Sequence, residues 1–141
     1  METAFFGGRP GCPLPAGTAW LHTPGELSQR RWEVLALDEE GCRALFREPE
    51  VICACGTVLL PEEWTELTAL QIRAERVIAC GLSSRSSLTL SSMGEREAVL
   101  CIQRQLLRPD GGTVEPQELP LPRMGEPPEN ALPLLGLGLL L

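Results

Sequence analysis

Two short runs constrain this chain more than any other feature. Val51-Ile52-Cys53-Ala54-Cys55 before Gly56, and Val77-Ile78-Ala79-Cys80 before Gly81, are apolar at every position. A strand with one wet face alternates apolar and polar residues, so an unbroken run reads as a strand buried on both faces, as in a parallel sheet. Parallel neighbours need a crossover between them. The intervening segment carries the signals of one: Pro61 with Glu62 and Glu63 makes a good first helical turn, and Trp64, Leu67, Leu70 and Ile72 recur at roughly helical spacing. Strand, helix, strand predicts a right-handed parallel unit.

Upstream, Glu33-Val34-Leu35-Ala36-Leu37 predicts another strand, Asp38 is placed to cap a short helix through about Arg47, and Pro49 stops it. Residues 1–31 are rich in glycine and proline and predict an irregular segment with at most an edge strand at Ala19-Trp20-Leu21. Within it, Gly7-Gly8-Arg9-Pro10-Gly11 invites a phosphate-loop reading, but it follows no convincing strand and Pro10 lacks an amide such a loop would use.

After Gly81 the pattern changes. Leu88-Thr89-Leu90-Ser91 alternates, Met93-Gly94-Glu95-Arg96 predicts a turn, Ala98 to Leu107 a longer strand, Pro109-Asp110-Gly111-Gly112 a hairpin turn, and Val114 to Leu121 its return strand. Ala131 to Leu141 is free of charge and too short for the roughly 20 residues of a membrane span; it predicts a helix capped by Asn130, with Pro133 in its first turn and Gly136 and Gly138 allowing close packing on a sheet. The expected fold is α/β: a small three-layer domain over residues 32–141, with a short parallel Rossmann-like sheet, an antiparallel three-stranded meander and a C-terminal helix.

Composition narrows the chemistry. All twelve basic residues are arginine, and of the nineteen acids only Asp38 and Asp110 are aspartates. Without lysine there is no P-loop ammonium, Schiff base or lysine general base. A net charge of −7 argues against a nucleic-acid partner. The six cysteines (Cys12, Cys42, Cys53, Cys55, Cys80, Cys101) mostly sit in apolar runs, and no signal segment opens the chain, so reduced thiols in a cytoplasm are expected. One histidine, His22, adds too little for a metal site or a hydrolase triad.

From about Arg76 to Leu141, four pieces follow in order: Val77-Ile78-Ala79-Cys80-Gly81-Leu82 with Ser87-Leu88-Thr89-Leu90-Ser91-Ser92; the hairpin; Leu119-Pro120-Leu121-Pro122-Arg123-Met124-Gly125; and Asn130-Ala131-Leu132 opening an apolar helix. Together they resemble the closing half of the central domain of the Mur ligases. The Gly81-Leu82-Ser83-Ser84 and Val114-Glu115-Pro116-Gln117-Glu118 segments also resemble those of short, stand-alone Mur-ligase-like proteins of clostridial bacteria. The resemblance implies an ATP-driven ligase scaffold, and the departures from it concern the charged machinery. No lysine is present for the nucleotide loop or for carbamoylation. Cys53-Ala54-Cys55-Gly56-Thr57 lacks the expected carboxylate, and Glu126-Pro127 replaces the adenine-holding His-Asn pair. Asn130 survives, with helix capping as a sufficient role.

The expectation is therefore a non-catalytic binding or regulatory module without catalytic residues, cofactor or metal. A protein partner is left open, and no nucleic acid or membrane partner is expected. The alternative is a subunit of a ligase-type enzyme, forming cell-wall peptide or other amide bonds, that borrows nucleotide chemistry from a partner. The candidate ligand site is the bend Ser83, Ser84, Arg85, Ser86 and Ser87 at the carboxyl end of a parallel strand, where a phosphate or carboxylate could sit. The same bend also reads as a solvated turn with a surface arginine. Glu115 and Glu118 opposite Arg104 or Arg108 are expected to form exposed cross-strand pairs.

Overall fold

The computed structural model describes residues 2–66, 69–94, 97–121 and 127–141. It is an α/β fold built on an eight-stranded, mostly parallel sheet. The strands are β1 (Thr3–Phe6), β2 (Thr18–Leu21), β3 (Trp32–Leu37), β4 (Cys53–Pro61), β5 (Ile72–Cys80), β6 (Leu88–Met93), β7 (Ala98–Ile102) and β10 (Gln117–Leu121), with β8 (Leu106–Leu107) and β9 (Thr113–Val114) forming a separate antiparallel ribbon. Across the large sheet the order is β10-β7-β6-β5-β4-β3-β1-β2. Its first five strands thus run 2-1-3-4-5, one of the two common doubly wound orders, and β6 joins β5 in parallel through Cys80 opposite Leu88.

Residues 1–31 depart from expectation. They supply two strands to this sheet, not an irregular lead-in, and β1 lies inside it, in parallel register with β3 from Thr3 opposite Val34 to Phe6 opposite Leu37. All four β1 residues are buried, with Ala4 and Phe6 in one core and Phe5 in the other. Thr-Ala-Phe-Phe is too short to show a period, so only the sheet around it identifies it as a strand.

The predicted crossover helix is also absent among the described residues. The first apolar run starts a nine-residue strand that continues through Gly56 to Pro61, with Cys53 opposite Ile72 and Pro61 opposite Cys80. The chain must return along that length, roughly 26 Å at 3.3 Å per step. Residues 62–71 would rise only about 15 Å as a helix, but about 33 Å when extended. Among the described residues they accordingly hold short turns and not a helix: the 3-10 turn Glu62–Trp64, and a second turn in which Ala69 N donates to Glu66 O at 3.1 Å. Leu70 is buried and Trp64 packs on the same core; Leu67 of the expected stripe lies outside the described residues.

Two apolar cores flank the sheet. One contains Leu35, Leu37, Val58 and Leu60, together with Leu27 of the single-turn helix α1 (Pro24–Leu27) and Cys42 and Leu45 of α2 (Glu39–Phe46). The other contains Val34, Ala36, Leu59, Leu88 and Leu100, covered by α3 (Leu132–Leu140) through Leu132, Leu134, Leu137 and Leu140. Helices on both faces make the three expected layers. Gly136 fits because a Cβ there would overlap the Leu88 and Leu59 side chains, whereas at Gly138 the nearest atom, Pro15 Cγ, is 3.9 Å away. Pro133 sits in the first turn as predicted, but the cap is Ala131 without a side-chain bond, because Asn130 belongs to a preceding 3-10 turn, Pro128–Ala131. Among the described residues, no helix is long and apolar enough to cross a membrane.

The meander is present as β6, β7 and β10, with one difference. The predicted strand Ala98–Leu107 breaks after Ile102, and the chain leaves the sheet to form the β8-β9 ribbon before β10 returns antiparallel to β7. The turn at Pro109-Asp110-Gly111-Gly112 is as expected, with Gly111 at φ 93° and Asp110 Oδ1 accepting from Gly112 N at 2.8 Å. Glu95 and Arg96 of the preceding turn, and Pro122 to Glu126 of the leucine-proline segment, lie outside the described residues.

Candidate functional site

The carboxyl ends of β1, β3, β4 and β5 form one edge of the sheet, and the functional side chains gather there. From β1 the chain passes to β2 on one side; from β3 it passes to β4 on the other. The divergence leaves a crevice between the ends of β1 and β3, the place where doubly wound sheets bind ligands. Here the Gly7-Gly8-Arg9 loop does follow a strand, contrary to expectation, and it faces the first turn of α2.

Asp38 ties the two together. Its Oδ1 accepts from Gly41 N at 2.7 Å, the predicted cap, and its Oδ2 accepts from Gly8 N at 3.1 Å. One carboxylate thereby occupies a helix-terminal amide and a glycine-loop amide of the kind that seats phosphate in nucleotide-binding sheets. Burial pushes the Asp38 carboxyl above the ordinary aspartate range, partly offset by these amides. Beside it, a cleft of about 520 Å³ is lined by Arg9, Glu40, Arg43, Arg47 and Asn130. Within it, Arg43 Nε pairs with Glu39 Oε1 at 3.0 Å, while Glu39 Oε2 accepts from Trp64 Nε1 at 2.7 Å.

The sequence-predicted bend lies further along the same edge, after β5. Its serines are turned inward onto Glu62. Ser83 Oγ and Ser86 Oγ each donate to Glu62 Oε2 at 2.6 Å, and Ser86 is fully buried. These bonds, that from Ser83 foremost, hold the Glu62 carboxyl below its ordinary value. Gly81, which closes the second apolar run, is required there: a Cβ would overlap the Glu62 side chain. From the far side, Gln103 Nε2 donates to the carbonyls of Ser83 (3.2 Å) and Ser86 (2.7 Å). Arg104 donates to those of Ser84, Arg85 and Ser86 at 3.0 to 3.1 Å. These contacts account for the break in the strand after Ile102.

The bend is therefore built around an anion that the chain itself provides. Ser83 and Ser86 meet at Glu62; Ser84 and the Arg85 side chain face solvent, and Ser87 is held through its backbone, its amide bonded to Ala79 O at 2.9 Å. Glu115 makes no ion pair with Arg104 or Arg108 but accepts from Gln105 Nε2 (2.7 Å) and Thr113 Oγ1 (2.9 Å). The salt bridges among the described residues lie elsewhere, and Glu118 is in none of them. His22 packs against Trp20 in a tilted arrangement, ring centroids 4.6 Å apart and planes at 51°. None of the six cysteines is in a disulfide; Cys42, Cys53, Cys55 and Cys80 are buried.

Glu62, Gln103, Arg104 and Arg47 were not singled out as site residues from sequence, and no local pattern would have found them. A second cavity, of about 390 Å³, lies between the ends of β4 and β5 and the turn carrying Asn130, and it gathers Glu39, Glu62, Glu63 and Glu129. No family model, curated protein or solved structure matches the chain.

Proposed function

We propose that this chain is a non-catalytic binding or regulatory module, a Mur-ligase-like α/β scaffold without the machinery for ATP chemistry. The observation that carries the reading is the bonding of Asp38. Its carboxylate takes both the Gly8 and the Gly41 amides at the switch point, so a phosphate there would meet a fixed negative charge in place of two donors. The lack of lysine supports the same reading, because no ammonium can offset that charge. At the neighbouring strand end, Glu62 and its serines form a closed set of hydrogen bonds that holds the carboxylate in its charged form, the opposite of the raised pKa a general acid or base uses near neutral pH.

Calorimetric titration of the full chain with Mg-ATP tests the reading: no saturable heat and no release of phosphate are expected. Saturable binding or turnover would overturn it. Recovery of the chain in complex with an ATP-dependent ligase, with turnover by the pair, would support the ligase-subunit alternative instead.

A further inference from the structure

The cleft at the switch point has a charge pattern that its own contacts leave unbalanced. Arg43 on α2 and Arg47, the residue that caps its C-terminus in helical conformation, are four positions apart, where side chains meet on one face and like charges repel. Arg9 reaches the same cleft from the loop after β1. Of the three, Arg43 is paired with Glu39, whereas Arg9 and Arg47 have no ion pair or side-chain hydrogen bond among the described residues. On the acidic side, Asp38 is held by two amides and Glu39 by Arg43 and Trp64, leaving Glu40 as the carboxylate of the lining with no ion pair or hydrogen bond among the described residues. Two unpaired guanidiniums thus stand against one unpaired carboxylate. Asn130, released from the capping role expected of it, borders the cleft from the α3 side; its backbone N donates to Pro127 O at 3.1 Å, and its side-chain amide is uncommitted among the described residues. At about 520 Å³, the space is within the range of small-molecule sites.

We infer that this cleft binds a small oxyanion, a carboxylate or a phosphate monoester, through Arg9, Arg43 and Arg47. The planar guanidinium fork suits two-oxygen recognition of either group, and an anion between Arg43 and Arg47 relieves their repulsion. The inference rests on reading the chain as a binding module and gives that module a ligand class. It differs from nucleotide binding in place: the anion lies along the exposed face of α2, not on the amides that Asp38 occupies.

The test is calorimetric titration of the full chain with inorganic phosphate and, separately, with malonate, at constant ionic strength set by chloride. Saturation by either supports the site, and the stronger binder identifies the source as phosphate or carboxylate. Replacing Arg9 and Arg47 together by alanine is expected to weaken binding by at least about tenfold, the scale of one charged hydrogen bond. Arg85→Ala, on an exposed arginine outside the cleft, should leave binding unchanged. Circular dichroism of each variant checks that the fold persists. Absence of saturation by both anions, or an equal loss in Arg85→Ala, overturns the inference. Failure of both titrations with Mg-ATP still inert removes the site alone, whereas ATP turnover by the chain removes the module reading.

Discussion

Ser86 Oγ, on a residue with no exposed surface, donates a 2.6 Å hydrogen bond to Glu62 Oε2, joining the end of β4 to the bend after β5 across 24 positions of sequence. Ser83 Oγ donates to the same oxygen at the same distance. The strand ends are thereby locked by a charge-assisted contact, the stronger class of hydrogen bond.

Glu62→Ala should lower stability by about 1–3 kcal/mol, because it strands the buried Ser86 hydroxyl without its acceptor. Glu62→Gln keeps an oxygen in place and should cost less. Ser86→Ala removes donor and need together and should cost about 1 kcal/mol. Urea unfolding of the three variants checks the ranking, and equal losses would refute the lock.

The same contact fixes a pH dependence. Hydrogen bonding lowers the folded pKa of Glu62, so its contribution is present above the unfolded value, about 4.3, and is lost as pH falls through the folded value. Asp38 has the opposite sign. Burial raises its folded pKa, so its contribution is present below the unfolded value, about 3.9, and is lost as pH rises through the folded value. The stability difference between the parent chain and Glu62→Gln should therefore narrow as pH drops below about 4.3, which unfolding midpoints measured across that range would reveal.

What was legible in the sequence was what neighbouring residues decide. Asp38 caps α2 through Gly41, three positions on, and the Asp110-Gly111-Gly112 turn folds on its own hydrogen bonds. The two apolar runs marked β4 and β5, but burial on both faces holds only for β4: in β5 Ile78 and Cys80 are buried while Val77, on the other face, is 40% exposed. What was hidden depends on register. β1 is a strand because β3 and β2 flank it, and the 62–71 connection holds short turns in place of a helix among its described residues because β4 runs to Pro61. The serine bend was found as a place for an anion, but the anion is Glu62, whose sequence neighbours suggested only a helix start. Pairing over such a separation leaves no local trace.

Thiol labelling should separate the cysteines into two sets. Burial pushes the Cys42 and Cys80 thiols far above their ordinary value, and Cys53 and Cys55 lie inside the first core. In the native state an aromatic disulfide reagent should react only with Cys12 and Cys101, the two partly exposed thiols, and with all six after denaturation. Rapid native reaction at Cys42, identified by mass spectrometry of the labelled peptide, would show that α2 detaches from the sheet.

The two glycines of α3 provide the sharpest test of how that helix sits. At Gly136 an added methyl meets Leu59 and Leu88, both fully buried on the sheet beneath, so neither can move into open space. Gly136→Ala should destabilise by about 1–3 kcal/mol, the range for overpacking a filled core. At Gly138 nothing lies closer than 3.9 Å, and alanine brings only its better helix propensity, so Gly138→Ala should be neutral or stabilise by up to about 1 kcal/mol. A clear loss at one position and none at the other, from identical chemistry two positions apart, requires that α3 present Gly136, and not Gly138, to the sheet. Thermal melts of the two variants decide it, since a helix rotated on its axis or undocked from Leu59 would bring the two effects together.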